Sequence, residues 1–482
     1  MDSQENLHQP CAAVAQQRQE RGTPPRRVER GRCWWRRPWA VAVVTALGLA
    51  LAGPHVSQAK TFHCDAGDVQ CLIAAINQAN ANGEKNTIRL QAGTYTLTAV
   101  DNDENGLPVI TSRLTITGEG AETTIIERDA SAPAFRLFMV AESGTLSLER
   151  LTLRGGGSLS FFSGSGGGIF NSGTLTVTQS TITDNAVRTD LGGAGIDNRG
   201  TATIAHSTIA SNRGNPGGSG LANFGTMVVT ATTVAHSLAD GPSALFNEGT
   251  LTVTNSTFTD NFGDVNGTPA IFNGGTLVVI NTTFARNVTR AFLGPSGAAI
   301  ANFGTLVLTQ STLADNVISG QAFGSTLFSA GTTTGSAREA TTILQNTLIA
   351  RNVGQSLGVL SIGPDCLGVV TSFGNNLIGD TTGCTITRPP GVRDLTGDPG
   401  LGDFTDNGRP GHGHVPLLPT SQAIDAGSDA FCLLRDQLGH RRVNIPRVGT
   451  SRCDIGAIEF PGKHDRPHDE DDHHDKDHAA AD

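Results

Sequence analysis

One sequence pattern occurs six times between Gly168 and Asn316, and it constrains the fold more than any other feature of the chain. The first copy reads Gly-Ile-Phe-Asn-Ser-Gly-Thr-Leu-Thr-Val-Thr-Gln-Ser-Thr-Ile-Thr-Asp-Asn. An asparagine holds its fourth position in every copy: Asn171, Asn198, Asn223, Asn247, Asn273 and Asn302. A closing position follows 14 residues later in all six copies, and only the Gly-, Pro- and Asp-rich stretch beyond it varies in length. Each copy is therefore one structural unit with a fixed segment and a variable connection.

Apolar residues alternate within the fixed segment. Leu175 and Val177 recur as apolar pairs in the other copies, and Ile182 recurs as Ile, Val, Phe or Leu, so each copy predicts two short strands with one buried face. Strands this short bury that face only when the copies stack in parallel. We therefore predict an all-β fold, a single-stranded right-handed parallel β-helix. The alternative, a β-sandwich, needs hairpin signals and would not keep one register through six copies.

The six repeated asparagines are interpreted as a structural ladder. Asparagine tolerates the left-handed backbone of a tight corner, and its amide can bond to the asparagine stacked on the next coil. We expect these residues to hold the coils together rather than to bind a ligand.

Charge and composition limit the classes of partner that the protein can bind and indicate where it is located. The formal charge is −10, and no long basic run follows the N-terminal region, which argues against nucleic acid as the main partner. Six arginines between residues 26 and 37 precede an apolar run over 40–52 and then Ser57-Gln58-Ala59, so residues 1–59 read as a signal peptide. The apolar run is shorter than the roughly 20 residues of a membrane span. The sequence predicts a secreted or outer-surface protein with no transmembrane segment in its mature chain.

The six cysteines beyond residue 59 lie as three pairs that are close in sequence. An oxidising compartment allows three disulfides, although the connectivity stays open from sequence. We favour local pairing because each bond would close a short loop at an end of the solenoid: Cys64 with Cys71, Cys366 with Cys384, and Cys432 with Cys453. No Cys or Cys/His spacing is typical of zinc.

Residues 60–85 are expected to form an N-terminal cap, with a helix from Cys64 to Asn82. Asp68 can cap that helix, and apolar residues from Leu72 to Ala79 make a stripe along it. Such a helix would cover the open strand edges of the first coil. The solenoid itself is assigned to residues 86–355.

The N-terminal motifs resemble a known family. Gly-Asp-Val-Gln-Cys-Leu-Ile-Ala-Ala-Ile-Asn-Gln-Ala-Asn at 67–80 and Thr-Ile-Arg-Leu-Gln-Ala-Gly-Thr-Tyr-Thr-Leu at 87–97 are similar to the opening of choice-of-anchor Q proteins, secreted bacterial β-helix proteins. Some members carry a related module named CSLREA. Residues 71–76 are one residue shorter than the CSLREA motif and lack its Arg and Glu.

The C-terminal motifs and the repeats carry the same kind of resemblance. Asn-Asn-Leu-Ile-Gly at 375–379, Ala-Ile-Asp-Ala-Gly at 423–427 and Cys-Asp-Ile-Gly-Ala-Ile-Glu at 453–459 resemble the module that names the choice-of-anchor Q family, here over 356–460. Phe258-Thr-Asp-Asn also resembles the repeats of polymorphic outer-membrane proteins. These resemblances imply a β-helix fold and an exported location, and no particular reaction.

Residues 461–482 form a tail too charged to fold alone. One hypothesis is a solubilising tail, and the other is capture of a divalent transition metal by its clustered imidazoles. The candidate ligands are His464, His468, His473, His474 and His478. We expect no other cofactor to be required.

The sequence favours a binding function over a catalytic one. Hydrolysis of a polysaccharide needs two carboxyls at a set separation, and lyase chemistry needs calcium-binding carboxylates on adjacent coils. The position before the closing residue holds Asp184, Asp260 and Asp315, but no two consecutive coils carry carboxylates there, so we interpret them as turn formers. Gly411-His412-Gly413 lacks the acidic pair expected of a polygalacturonase and is interpreted as a loop.

We therefore predict a secreted, non-catalytic β-helix that acts in adhesion or in binding carbohydrate or another surface ligand. The candidate contact segments are the variable loops 186–194, 213–219, 238–243, 262–269 and 288–298. One alternative is a polysaccharide lyase or glycoside hydrolase that acts on acidic polysaccharide. A second is a passive structural protein of the cell surface.

Overall fold

The protein is a right-handed parallel β-helix, as the repeat predicts. The structure, a computed structural model, describes residues 59–461 except 159–165, 189–191, 215–217, 240–242, 265–269, 292–295, 321–323, 331–338, 357–364 and 444–452. Within these residues the coils build three parallel sheets of 21, 11 and eight strands, which we call sheets 1, 2 and 3.

Sheet 1 consists of two columns of strands that share each coil. The short column contains Phe138–Val140, Ile169–Asn171, Ile196–Asn198, Leu221–Asn223, Leu245–Asn247, Ile271–Asn273, Ser296–Asn302 and Gly324–Ser329. The long column contains Thr61–Cys64, Lys85–Leu90, Arg113–Thr117, Thr145–Glu149, Thr174–Thr178, Thr201–Ala205, Thr226–Thr230, Thr250–Thr254, Thr276–Ile280, Thr305–Thr309 and Thr341–Gln345. Cys366–Ser372 pairs with the last strand of both columns, and Cys384–Thr387 pairs with it in turn.

Sheets 2 and 3 follow the long column in each coil. Sheet 2 contains Gly93–Leu97, Thr124–Arg128, Thr152–Arg154, Thr181–Thr183, Thr208–Ala210, Thr233–Ala235, Thr257–Thr259, Thr283–Ala285, Thr312–Ala314, Leu348–Ala350 and Leu377–Ile378. Sheet 3 contains Gly157–Ser158, Ala186–Val187, Arg213–Gly214, Leu238–Ala239, Phe262–Gly263, Val288–Ala291, Val317–Gly320 and Val353–Ser356.

The core is the interior of the coil, as the alternating residues predict. Leu175, Val177 and Ile182 are each 1% exposed or less, and their equivalents in the other coils are similarly buried. Burial of about 25 cal/mol per Å² of apolar surface, repeated in every coil, is the main stabilising contribution.

The prediction of two strands per coil was too low. The three residues that end at each leading asparagine form a strand of sheet 1, and the loops assigned to 186–194, 213–219, 238–243, 262–269 and 288–298 each begin with a strand of sheet 3. Strands of two or three residues carry too few positions for an alternation to be visible. Part of every one of these loops lies outside the described residues.

The cap helix spans Val69–Asn82, five residues later than the predicted start. The Asp68 side chain accepts a hydrogen bond from the backbone N–H of Cys71, and Gly83 ends the helix in the left-handed conformation at φ 67°. Thr61–Cys64 forms a strand that pairs in parallel with Lys85–Leu90, so the first part of the cap belongs to sheet 1. Leu72 and Ile76 of the helix are fully buried in the core.

The coils also continue past the predicted end at residue 355, through Cys384–Thr387. After the sixth copy, the strand Gly324–Ser329 extends sheet 1. The described residues of 397–460, a segment that we call the C-terminal cover, then return along the outside of sheet 2 and contain one short 3-10 helix at Asp429–Phe431.

The leading asparagines do not occupy the left-handed corners, contrary to our expectation. Positive φ angles occur instead at two other positions of the coil, eight and 13 residues after the asparagine. The first position comprises Gln179, His206, Ala231, Asn255, Asn281 and Gln310, and the second comprises Asp184, Ser211, His236, Asp260, Arg286 and Asp315. The asparagines are therefore retained for their amides rather than for their backbone.

Candidate functional site

The outward side chains of seven successive strands in the long column form one continuous surface, which we call the threonine face. Its 21 positions hold 14 threonines, six aliphatic residues and one glutamine. The first row is Thr174, Thr201, Thr226, Thr250, Thr276, Thr305 and Thr341. The second row is Thr176, Thr203, Val228, Thr252, Val278, Val307 and Ile343, and the third is Thr178, Ala205, Thr230, Thr254, Ile280, Thr309 and Gln345. All except Ala205 are at least partly exposed.

The spacing of this face is regular in two directions. The seven strands pair in parallel without a shift in register, so each residue of a row lies opposite its equivalent. Neighbouring strands in a sheet lie about 4.8 Å apart, and alternate residues along a strand about 6.6 Å apart. The face is therefore a lattice of side chains about 29 Å long and 13 Å wide.

The first-row hydroxyls are available to a ligand. All seven threonines of that row are exposed, and none of their hydroxyls bonds to a protein atom in the described part of the chain. In the third row, the Thr254 hydroxyl donates to that of Thr230 at 2.9 Å, and the Thr309 hydroxyl donates to Gln345 at 2.8 Å. The face thus presents methyl groups and uncommitted hydroxyls side by side.

No charged residue occupies any of the 21 positions, although the chain as a whole is 16% charged. Arg199 and Glu248 lie at the corner beside the face, and Glu149 lies on the strand before it. Sheet 2 differs, since its outward side chains include the ion pair between Arg154 and Glu127 at 2.6 Å. An uncharged surface of this size is suited to a neutral ligand.

The six repeated asparagines lie inside the coil, away from this face. Nδ2 of Asn171 donates to Oδ1 of Asn198 at 2.7 Å, and the same bond recurs at 2.7 to 2.8 Å as far as Asn302. Each residue of this ladder is 0% exposed. The asparagines therefore satisfy buried polar groups of the corner and cannot reach a ligand.

Two further ladders run through the interior. The closing residues form one, in which Asn185 donates to Asn212 at 2.9 Å and Asn261, Asn287 and Asn316 continue the bonds to Asn352. This ladder ends on Asp365, which accepts from Asn352 at 2.8 Å and whose pKa burial raises to about 6. The other ladder consists of hydroxyls that accept from the backbone of the previous coil, from Ser180 and Ser207 through to Ser311.

The acidic residues before the closing position are turn residues. Asp184, Asp260 and Asp315 all have φ between 53° and 58°, and so do their non-acidic equivalents within a few degrees. Arg286 pairs with Asp260 and Arg351 with Asp315, each at 2.5 Å. The carboxylates of Asp260 and Asp315 thus form ion pairs between adjacent coils, and that of Asp184 accepts a hydrogen bond from the Thr183 hydroxyl.

The Gly411-His412-Gly413 loop belongs to the C-terminal cover and is packed against sheet 2. Gly411 has φ +77°, and a Cβ there would lie 2.6 Å from the backbone oxygen of Asn255. Four successive coils each use a threonine hydroxyl to hold the cover. These contacts are Thr233 with Gly411 at 2.8 Å, Thr257 with Gly413 at 2.6 Å, Thr283 with Gln437 at 2.6 Å and Thr312 with Ala457 at 2.9 Å.

A buried charged cluster fixes the end of the cover. Arg442 lies 3.1 Å from Oε2 of Glu459 and also donates to Oδ1 of Asn281 on the solenoid at 3.1 Å. Burial raises the pKa of Glu459 to about 7, with the nearby Asp454 adding to the effect, and burial raises the pKa of Asp454 to about 6. Arg442 donates to the carboxylate of Glu459 and to the backbone oxygen of Asp454, and all three residues are buried, so this cluster has a structural role.

Stacked phenylalanines line the outside of the short column and of the corner that follows it. The rings of Phe246, Phe272 and Phe303 follow one another at 5.2 and 5.1 Å, and Arg199 lies over Phe224 at 4.9 Å. Because the ring faces contact one another, only their edges are available. These rings therefore do not form a platform on which a sugar could stack.

A cavity of about 620 Å³ lies beside the cap helix. Asp68, Gln70, Thr98 and Asp101 are among its lining residues. The Asp68 carboxylate already caps the helix by accepting a hydrogen bond from Cys71. We therefore assign no ligand to this cavity.

Two of the three predicted disulfides are confirmed. Cys64 bonds to Cys71 and Cys366 to Cys384, with Cα atoms 5.5 and 5.6 Å apart. The pairing of Cys432 with Cys453 stays a prediction. The histidines His464, His468, His473, His474 and His478, proposed to bind metal, lie outside the described residues, as does the predicted signal peptide.

The described residues contain no cluster of three or more His, Cys, Asp or Glu side chains that could hold a metal ion. Across that same part of the chain, no helix has the length and apolar character needed to cross a membrane. No family model matches the chain, and no curated protein is similar to it at a significant level.

Sequence reasoning overlooked the threonine face although its signal was present. The inward residues Leu175 and Val177 identify the strand, and the outward Thr174, Thr176 and Thr178 alternate with them. Threonine is common on exposed strands, so one copy carries little information. The information lies in the repetition of the row over seven strands.

Proposed function

We propose that the protein is exported and acts as a non-catalytic surface-binding protein, with the threonine face as its contact surface and neutral polysaccharide as its ligand class. The observation that supports this is the row of seven exposed threonines whose hydroxyls have no protein partner in the described structure. Sugar hydroxyls can pair with these groups, and the threonine methyls can pack on the C–H faces of the rings.

The length of the face supports weak contacts that act together. Each hydrogen bond exchanged with water adds only about 0.5 to 1.5 kcal/mol, so affinity requires many of them in register. The absence of charge on the 21 positions favours neutral glycans over acidic ones, because no cationic group is present there to pair with a carboxylate. The likeness of the terminal motifs to choice-of-anchor Q proteins is part of this proposal and agrees with export.

The test is retention on insoluble neutral polysaccharides. We expect the purified protein to sediment with cellulose, chitin or an insoluble β-glucan, and Thr250→Lys to reduce retention at least about tenfold, or about 1.4 kcal/mol. The matched control is Thr208→Lys, which places the same charge on sheet 2.

Two results would refute the proposal. Failure to bind any neutral glycan would leave a passive structural role, and release of reducing ends or unsaturated products would indicate a glycoside hydrolase or polysaccharide lyase instead. Export is tested separately, by sequencing the N-terminus of the secreted chain, which should begin at Lys60.

A further inference from the structure

We infer that the threonine face also binds ice. This inference rests on the proposed role of that face as the contact surface and extends it from sugar hydroxyls to an ordered lattice of water. Four features of the face support it: a period in two directions, a shared side-chain type, the absence of charge and the availability of its hydroxyls.

The two-dimensional period of the face is regular over its whole length. The register is unbroken from Thr174–Thr178 to Thr341–Gln345, so the rows stay straight over seven strands. The strand separation of about 4.8 Å lies close to the shortest repeat between equivalent oxygens in hexagonal ice. A ligand with its own fixed lattice benefits from such regularity because each added row contacts it in the same way.

The side chain repeated on the lattice is suited to water. A threonine hydroxyl can take the place of a water oxygen, and its methyl group holds the neighbouring waters in an ordered shell. The first row has threonine on all seven strands, and its hydroxyls make no bond to other protein groups among the described residues. The second row replaces three threonines by valine, at Val228, Val278 and Val307, which keeps the branched shape of the side chain.

The lack of charge removes the main obstacle to contact with a solid water surface. A charged side chain holds its own hydration shell, and stripping or reorganising that shell opposes docking. None of the 21 positions is charged, whereas the outward positions of sheet 2 include Arg154 and Glu127. The threonine face therefore differs from the described part of sheet 2 in the property that ice binding requires.

The experiment compares the purified wild type with Thr250→Lys and Thr208→Lys. Two readouts are used: the protein concentration that stops recrystallisation of ice in an annealed frozen film, and accumulation of the fluorescently labelled protein on a growing ice crystal. Thermal unfolding checks that each variant is folded, which we expect because both positions are on the surface. Thr250 lies at the centre of the first row.

We expect the wild type to inhibit recrystallisation and to label the crystal. Thr250→Lys should require at least about tenfold more protein, a change of about 1.4 kcal/mol, and Thr208→Lys should match the wild type. A wild type that neither inhibits nor labels ice overturns the inference, and so does a Thr250→Lys variant as active as the wild type. An equal loss in Thr208→Lys also overturns it, because the effect would then not belong to this face.

The polysaccharide arm separates this inference from the proposed function. Retention on glycan without any effect on ice would remove the ice inference alone. A protein that neither binds glycan nor affects ice would contradict both the proposed function and the ice inference.

Discussion

Replacing Ser237 by asparagine should make the protein more stable. The ladder of closing residues is interrupted there, because Ser237 stands between Asn212 and Asn261. Its backbone N–H donates to Oδ1 of Asn261 at 3.1 Å, but its hydroxyl only reaches the carbonyl of Ala235 at 3.4 Å. An asparagine could donate to Asn261 and accept from Asn212, as its neighbours in the ladder do at 2.9 Å.

The space for this change is present in the structure. Gly195 lies beside Asn212 and Gly220 lies beside Ser237, and an ideal Cβ on these glycines would be 3.3 and 3.4 Å from the ladder side chain. Two restored bonds at about 0.5 to 1.5 kcal/mol each give a gain of about 1 to 3 kcal/mol in the free energy of unfolding. Asn287→Ser, which opens a new gap in the same ladder, should lose a similar amount.

The assay is urea unfolding followed by circular dichroism. Ser237→Asn should raise the midpoint and Asn287→Ser should lower it, with the dependence on urea unchanged in both. Ser237→Asp is the matched control, because an aspartate side chain has the same shape as asparagine but would place a carboxylate against Oδ1 of Asn261. This variant should be less stable than the wild type. If Ser237→Asn were neutral or destabilising in a folded protein, the view that side-chain bonds of the ladder add stability would be refuted.

Three further predictions concern the cover and the core. Burial raises the pKa values of Asp454 and Glu459 to about 6 and 7, so the folded state binds these protons more tightly than the unfolded state. The free energy of unfolding should therefore be highest near pH 4 and fall as the pH rises to about 7. Glu459→Gln should flatten this slope in unfolding midpoints measured across that range. Gly411→Ala should detach the cover and make residues 397–460 sensitive to protease, whereas Gly408→Ala, at φ +76° with nothing within 4 Å, carries only the backbone strain and should leave the cover resistant. Phe258→Ala should lower the free energy of unfolding by about 3 to 5 kcal/mol, because its ring is fully buried and stacked on Phe284 at 4.9 Å; a loss below about 1 kcal/mol would contradict the view that this stack belongs to the core.

The coil architecture was readable from sequence because its signal repeats. Alternation at Leu175 and Val177 in six copies identifies one strand, and the invariant interval to Asn185 identifies the segment that must stack. The strand Ala186–Val187 was missed because two residues carry no period, and the left-handed corners at Ala231 and Arg286 were missed because neither residue type favours that conformation.

The position of the C-terminal cover could not be predicted from local patterns. Gln437 bonds to Thr257, 180 residues earlier in the chain, and Gly411 bonds to Thr233, 178 residues earlier. Such contacts depend on the finished shape of the solenoid. The threonine face was not predicted, because the alignment of its residues into straight rows depends on the register between the strands of successive coils.

The way the cover is attached sets where the molecule can grow. Adding one coil before Thr208 would lengthen the threonine face by one strand and leave every contact of the cover in place. Adding one between Thr233 and Thr312 would move four anchoring hydroxyls out of step with Gly411, Gly413, Gln437 and Ala457. The contacts of the cover therefore fix the number of coils in the second half of the solenoid. Variation in the number of coils among related chains should be confined to the first half.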